Sequence, residues 1–261
     1  MPFTLSHPAA VLPFRRFCPR YLEFAALVIG SLTPDLGYYV RRFEIASFAH
    51  TIFGSFIVCL PSGVLMFLIF YLVRKPICFI LPAPHREPLL LRCTGVLPVS
   101  LRRATIVALS LLLGAWSHIL WDSFTHLTGW FVQRFSWFRA PVFIVGSTQF
   151  QAYYVLQQLS TVVGGAILIV AYFAWPRRQQ PAQPAHPATE RWRYLLCLAI
   201  AAFALLLSLP VAAHDASRFQ GYLAFRVFVF RAAVYFISIA VPLVILAAPI
   251  VYARRSRAAL P

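Results

Sequence analysis

The chain has 261 residues, of which 61% are hydrophobic and only 11% charged, with a mean hydropathy of +0.76. A water-soluble domain carries about a quarter charged residues, so this balance excludes an ordinary soluble enzyme and predicts a multi-pass membrane protein. The net charge of +16 could serve nucleic acid, but its basic residues fall in short clusters between apolar runs, which reads as topology information and leaves no nucleic-acid partner expected.

In chain order, Met1 to Pro13 is a short apolar opening containing His7, followed by the basic turn Arg15, Arg16 and Arg20. Tyr21 to Leu32 is a second short apolar segment, stopped by Thr33-Pro34-Asp35. Each is too short to cross the ~30 Å hydrocarbon layer, so a hairpin of half-helices is expected, with His7 and Asp35 near one end. Thr51 to Val73, preceded by His50, is long enough to span. Arg74 to Arg103 is a Pro-rich basic loop, and Ala104 to Trp121 returns through the membrane into Asp122 and His126, with Gly129 as a helix stop. Val142 to Phe150 is expected as a re-entrant or interfacial piece, and Tyr153 to Trp175 as a span. Residues 176–193 read as a flexible cytoplasmic linker from their Pro and Gln content. Tyr194 to Ala213 and Ala232 to Ala253 complete the spans, separated by a polar turn at His214 and Asp215. The expected fold class is therefore all-α: a transmembrane helix bundle of about five full spans plus an N-terminal half-helix hairpin. Three parts follow: a membrane core over residues 1–175, the linker, and a two-span hairpin over residues 194–261.

The turn at 15–20, the loop 74–103, the linker and the tail fall on one side and hold 16 of the 23 basic residues; the other side and helix ends hold seven. The richer side, including the C-terminus, is expected to be cytoplasmic. His50, Asp35 and the stretch His118–His126 then fall at the extracytoplasmic end. No cleavable signal peptide is evident. Cysteines 18, 59, 78, 93 and 197 form no C-x-x-C pair and are expected as unpaired thiols.

His118, Asp122 and His126 lie four residues apart in an otherwise apolar stretch. Four-residue steps advance about 40° around a helix, so the three would form one slanted stripe. An ionised Asp at membrane depth costs roughly 2.5–3.5 kcal/mol, so its presence needs a reason. Two imidazoles and a carboxylate on one face make a half-shell for a divalent metal such as zinc. The alternative is a polar helix end whose groups hydrogen-bond backbone or neighbouring helices. His50 and Asp35, at the same expected depth, favour the metal, with Asp35 as ligand or general base. His7 is a weaker candidate, since Ser6-His7-Pro8 also suits a helix start. Ser117, Ser123 and Thr125 are candidates to orient the imidazoles through hydrogen bonds. Tyr154, Gln157, Gln158 and Ser160 are adequately explained by interhelical hydrogen bonding.

The segments MPFTLSHPAAVLP, VIGSLTPDLGYY, AHTIFGS, GAWSHILWDSFTHLTGW and YYVLQQLSTVVGG resemble a bacterial family of multi-pass membrane proteins of unknown function. That resemblance implies residence in a bacterial inner membrane. More remotely, the order His, Pro-Asp, His, then His-x3-Asp is similar to the membrane-bound metal-dependent hydrolase family. It implies His7, Asp35, His50, His118 and Asp122 as metal ligands, with His126 as an addition. Leu36-Gly37 stands where that family has a second acidic residue and a His, and Phe48-Ala49 where His-Arg often occurs. Three functions are compatible with these residues: a hydrolase of a lipid or lipid-linked ester or phosphoester, a transporter of divalent cations or protons, and a scaffold with a structural metal.

Overall fold

Within a bilayer every backbone N–H and C=O must be satisfied inside the segment, and the long apolar runs of this chain fold accordingly into helices. The computed structural model describes residues 4–93, 100–146, 148–175 and 187–257. Among them, five stretches are long and apolar enough to cross a membrane: Ile52–Ile80, Leu101–Arg134, Ala152–Ala174, Glu190–Ala216 and Gly221–Arg255. This is the expected number, and four of the five stretches extend beyond the apolar run that announces them, Ala152–Ala174 being merely shifted by one residue. Helical propensity continues past hydrophobicity, as at Arg74–Ile80.

Thr4–Phe17 winds as a long 3-10 helix through Pro8 and Pro13, in place of the first half-helix. It is followed by α1 (Phe24–Gly30), a 3-10 turn (Thr33–Asp35), α2 (Leu36–Tyr39) and α3 (Phe43–Ala49). Helix α4 (Ile52–Gly54) runs through a π turn (Ser55–Cys59) into α5 (Leu60–Ile80), and α6 (Arg86–Leu90) lies in the basic loop. Then come α7 (Leu101–Thr125), α8 (Trp130–Arg134), β1 (Pro141–Val145), β2 (Thr148–Gln151), α9 (Ala152–Ala174), α10 (Pro187–Ala216) and α11 (Gly221–Arg257). The expected re-entrant piece is thus a two-stranded antiparallel hairpin, the one departure from an all-helical chain among the described residues. Its sequence explains this: β-branched and aromatic residues flank Gly146, whose φ of +59° suits a hairpin turn, and Phe143 stacks on Phe150 at 4.7 Å.

The chain divides into two compact units. The first comprises Met1–Gly37, Arg42–Leu68 and Pro98–Trp175. Its centre is α7, which Ser100 caps by accepting the Arg103 N–H at 3.2 Å. One face of α7 is buried, through Val107, Ser110, Leu111, Gly114, Ala115, His118 and Asp122, while Leu109, Trp116 and Leu120 point outward. Helices α1 and α7 meet backbone to backbone at Gly30 and Gly114. A Cβ on Gly30 would lie 2.1 Å from the Leu111 carbonyl oxygen, and one on Gly114 2.3 Å from that of Leu27. Only glycine permits this approach, which sets the Pro-Asp turn after α1 against the second half of α7.

The second unit comprises Tyr38–Arg41, Ile69–Leu97 and Pro176–Pro261. Antiparallel α10 and α11 bury Ala212, Val234 and Tyr235 together with Tyr39. The expected division at residue 175 is therefore modified, because the loop carrying α6 joins this hairpin through Glu190. That carboxylate accepts from the Ala83 N–H at 2.9 Å and from Arg86 and Arg193 at 2.7 Å each. Of the expected linker, residues 176–186 lie outside the described residues, and Pro187–Arg193 form the first turns of α10 rather than flexible chain. The described cysteines are free thiols, with Cys78 Sγ and Cys93 Sγ in contact at 3.2 Å.

Candidate metal centre

Four side chains from three parts of the first unit converge. His118 and Asp122 come from consecutive turns of α7, and Asp35 from the buried turn after α1. His50 caps the C-terminus of α3. One ligand atom from each lies within 4.8 Å of all the others. Four cross-distances are shorter. His50 Nε2 stands 3.4 Å from Asp35 Oδ1 and 3.2 Å from Asp122 Oδ2, and His118 Nε2 stands 3.6 and 3.3 Å from the same two oxygens. Tetrahedral zinc with bonds of 2.0–2.1 Å needs ligand–ligand separations of about 3.3 Å, so the donors already stand near that spacing.

The outer atoms of this set are anchored. His118 Nδ1 donates to the Ser31 carbonyl at 2.7 Å and His50 Nδ1 to the Ala46 carbonyl at 2.7 Å, which turns both Nε2 atoms inward toward the carboxylates. Thr4 Oγ1 donates to Asp35 Oδ2 at 2.5 Å. By contrast, His118 Nε2, Asp35 Oδ1 and both oxygens of Asp122 are buried with no hydrogen-bond partner. Buried polar atoms left in this condition are costly, and a shared cation would satisfy all four at once. Two carboxylates bring two negative charges, matching a divalent ion.

Burial alone would lower the pKa of His50, but the carboxylates of Asp122 and Asp35 outweigh it and lift it from 6.5 to about 10. His50 therefore holds a proton that a bound cation would have to displace. Its ion-pair contribution to stability is complete below pH 6.5 and is lost as pH rises through 10, while the affinity of these donors for a cation would move the opposite way and rise with pH. Burial of Asp35 opposes ionisation, yet His118 and His50 hold its carboxyl below the usual range. His7 is pushed down to about 3, by burial first and His118 second, and is neutral.

The remaining expected site residues flank this set. His7 Nε2 approaches Asp122 Oδ1 at 3.5 Å, and its ring stacks on His118 with centroids 3.6 Å apart. His126 departs from the expected stripe: α7 ends at Thr125, and His126 turns into extended backbone as the cap. It reaches Asp122 Oδ1 through Nδ1 at 3.4 Å, while its Nε2 faces Gln157 at 3.4 Å. Thr125 meets His126 Nδ1 at 3.3 Å. Ser117 and Ser123 do not orient an imidazole. Each hydroxyl donates three residues back, to Gly114 and Leu120, because a serine on an apolar helix satisfies itself locally. The Ser31 and Ala46 carbonyls orient the imidazoles and Thr4 holds the Asp35 carboxylate, and these groups carry no sequence signal apart from Thr4 lying three residues before His7.

Residues 1–249 match the family model described as domain of unknown function DUF4184. The chain belongs to that family. No curated protein and no solved structure matches it.

Proposed function

We propose that this protein is a metal-dependent hydrolase of the membrane, acting on an ester or phosphoester of a lipid or lipid-linked substrate at the extracytoplasmic face. The observation that carries the reading is the spacing of the four donors, 3.2–3.6 Å between each imidazole and each carboxylate, together with the buried inner atoms His118 Nε2, Asp35 Oδ1 and both Asp122 oxygens, which make no hydrogen bond. His50, His118, Asp35 and Asp122 would hold a divalent ion, with zinc fitting the two-nitrogen, two-oxygen set best. When bound, such an ion would supply Lewis acidity, and it would activate a water only at a position beyond these four donors. Both oxygens of Asp35 are engaged, one toward the set and one by Thr4, so its role here is ligand rather than general base. His7 and His126 both contact Asp122 from outside the set, which suits them to hold and move protons at its Oδ1. His126, partly exposed and beside Gln157, offers the route to solvent. Of the five ligands that the remote likeness to membrane-bound hydrolases implies, Asp35, His50, His118 and Asp122 form the set and His7 stands beside it, 3.5 Å from Asp122.

Purified full-length protein should retain about one divalent ion per chain by elemental analysis, and the His118→Ala/Asp122→Ala double variant should lose it. Retention of the ion by a folded double variant would remove the proposal.

We also infer a bacterial inner-membrane location with the C-terminus cytoplasmic, from the 16 basic residues expected on that side. In intact cells, an impermeant thiol reagent should spare a cysteine at Arg257 and modify one at Gly129 in a cysteine-free background. The reverse pattern would invert the topology.

A further inference from the structure

Beside the metal centre, a cavity of about 230 Å³ is lined by residues of the N-terminal 3-10 helix, α7 and α9. Its walls are mainly apolar: Ala9, Ala10, Trp121, Val163, Gly164 and Ile167. Two hydroxyls border it, but both are committed to backbone, Ser6 to the Thr161 carbonyl at 3.1 Å and Ser160 to that of Gln157 at 2.9 Å. Away from His7, nothing there would compensate a sugar or a charged headgroup for its lost water, so the wall chemistry selects hydrocarbon. Trp121, Val163 and Ile167 are each about half exposed and belong to stretches able to span a membrane, which opens the cavity to acyl chains.

The one uncommitted polar group on this wall is His7. It is 97% buried, being 3% exposed, and neither ring nitrogen makes a hydrogen bond. The same imidazole lies 3.5 Å from Asp122 Oδ1 and stacks on His118, so it forms the seam between the apolar cavity and the four donors. We propose that the cavity receives the hydrocarbon chain of a membrane lipid and so presents that lipid's ester or phosphoester at His7; this rests on the hydrolase reading above. His7 donates or accepts a hydrogen bond at the scissile group, and Gly164 and Ile167 limit the girth of the chain.

The test uses full-length protein in phosphatidylcholine vesicles containing a trace of phosphatidylcholine with a diazirine at the end of one acyl chain. Irradiation should cross-link residues Thr4–Phe17 and the Val163–Ile167 turn of α9. Ile167→Trp should cut that labelling about tenfold without changing metal content, and Ala9→Leu, which fills the opposite wall, should do the same. Labelling unchanged in both folded variants, or spread evenly over the outward faces of α9 and α11, overturns the chain site. Metal content is read on the same samples. Metal-replete protein without cavity labelling overturns the chain site alone, whereas wild-type protein free of metal overturns the hydrolase reading and, with it, the presentation of an ester at His7.

Discussion

Each unit buries charge, and the two do so in opposite ways. In the second unit, Glu190 is closed by its own counterions: Arg86 and Arg193 donate to Oε1, the Ala83 N–H to Oε2, and Arg193 Nε reaches the Phe79 carbonyl at 3.0 Å. Every direction of that carboxylate has a partner, and the network joins the α6 loop to α10. In the first unit, two carboxylates face imidazoles at 3.2–3.6 Å, and no Lys or Arg enters the set. The inner atoms of His118, Asp35 and Asp122 make no hydrogen bond, while the outer atoms of His118, His50 and Asp35 are pinned. A charge network that closes on itself holds structure together. One that is pinned outside and unsatisfied inside could hold a cation that satisfies it.

That contrast can be broken experimentally. The largest effect is expected from Glu190→Ala, which removes three charge-assisted hydrogen bonds and should lower stability by about 2 kcal/mol in a denaturation titration. Metal content should be untouched; a loss of metal would show that the two networks are not separate in function. Thr4→Ala should reach the metal instead. Releasing Asp35 Oδ2 should weaken metal affinity about tenfold, measured by chelator competition, and lower stability by about 1 kcal/mol because that buried oxygen is left unpaired. Ser117→Ala, the control on α7, should leave both measurements within error because its hydroxyl serves only the Gly114 carbonyl. A Thr4→Ala protein that binds metal as tightly as wild type would show that the pinned outer atoms do not matter.

The positions legible beforehand were those whose chemistry conflicts with their surroundings. His118 and Asp122 stand out because ionisable groups in an apolar helix are expensive, and their four-residue spacing already shares a face. Asp35 and His50 stand out because each ends or opens an apolar segment. His126 was overextended: the spacing rule assumes the helix continues, and here the helix stops one residue earlier. Ser117 and Ser123 misled because helix position says nothing about whether a hydroxyl will prefer its own turn. The strand pair at 141–151 was hidden by length, since a short apolar run fits an interfacial segment and a hairpin equally well.

By itself the amino-acid order determined that this chain makes five span-length helices, where the basic clusters fall, and which few ionisable groups must justify their presence. These are local properties, fixed by hydrophobicity and by 3.6-residue periodicity. Only the tertiary structure decided that Asp35 and His50 meet α7, that Thr4 holds a carboxylate 31 residues away, and that His7 stands between the donors and an apolar cavity. Such contacts depend on how closely two backbones can approach, as at Gly30 and Gly114, and on which distant carbonyl a ring nitrogen finds. Neither quantity is written in any one segment of the chain.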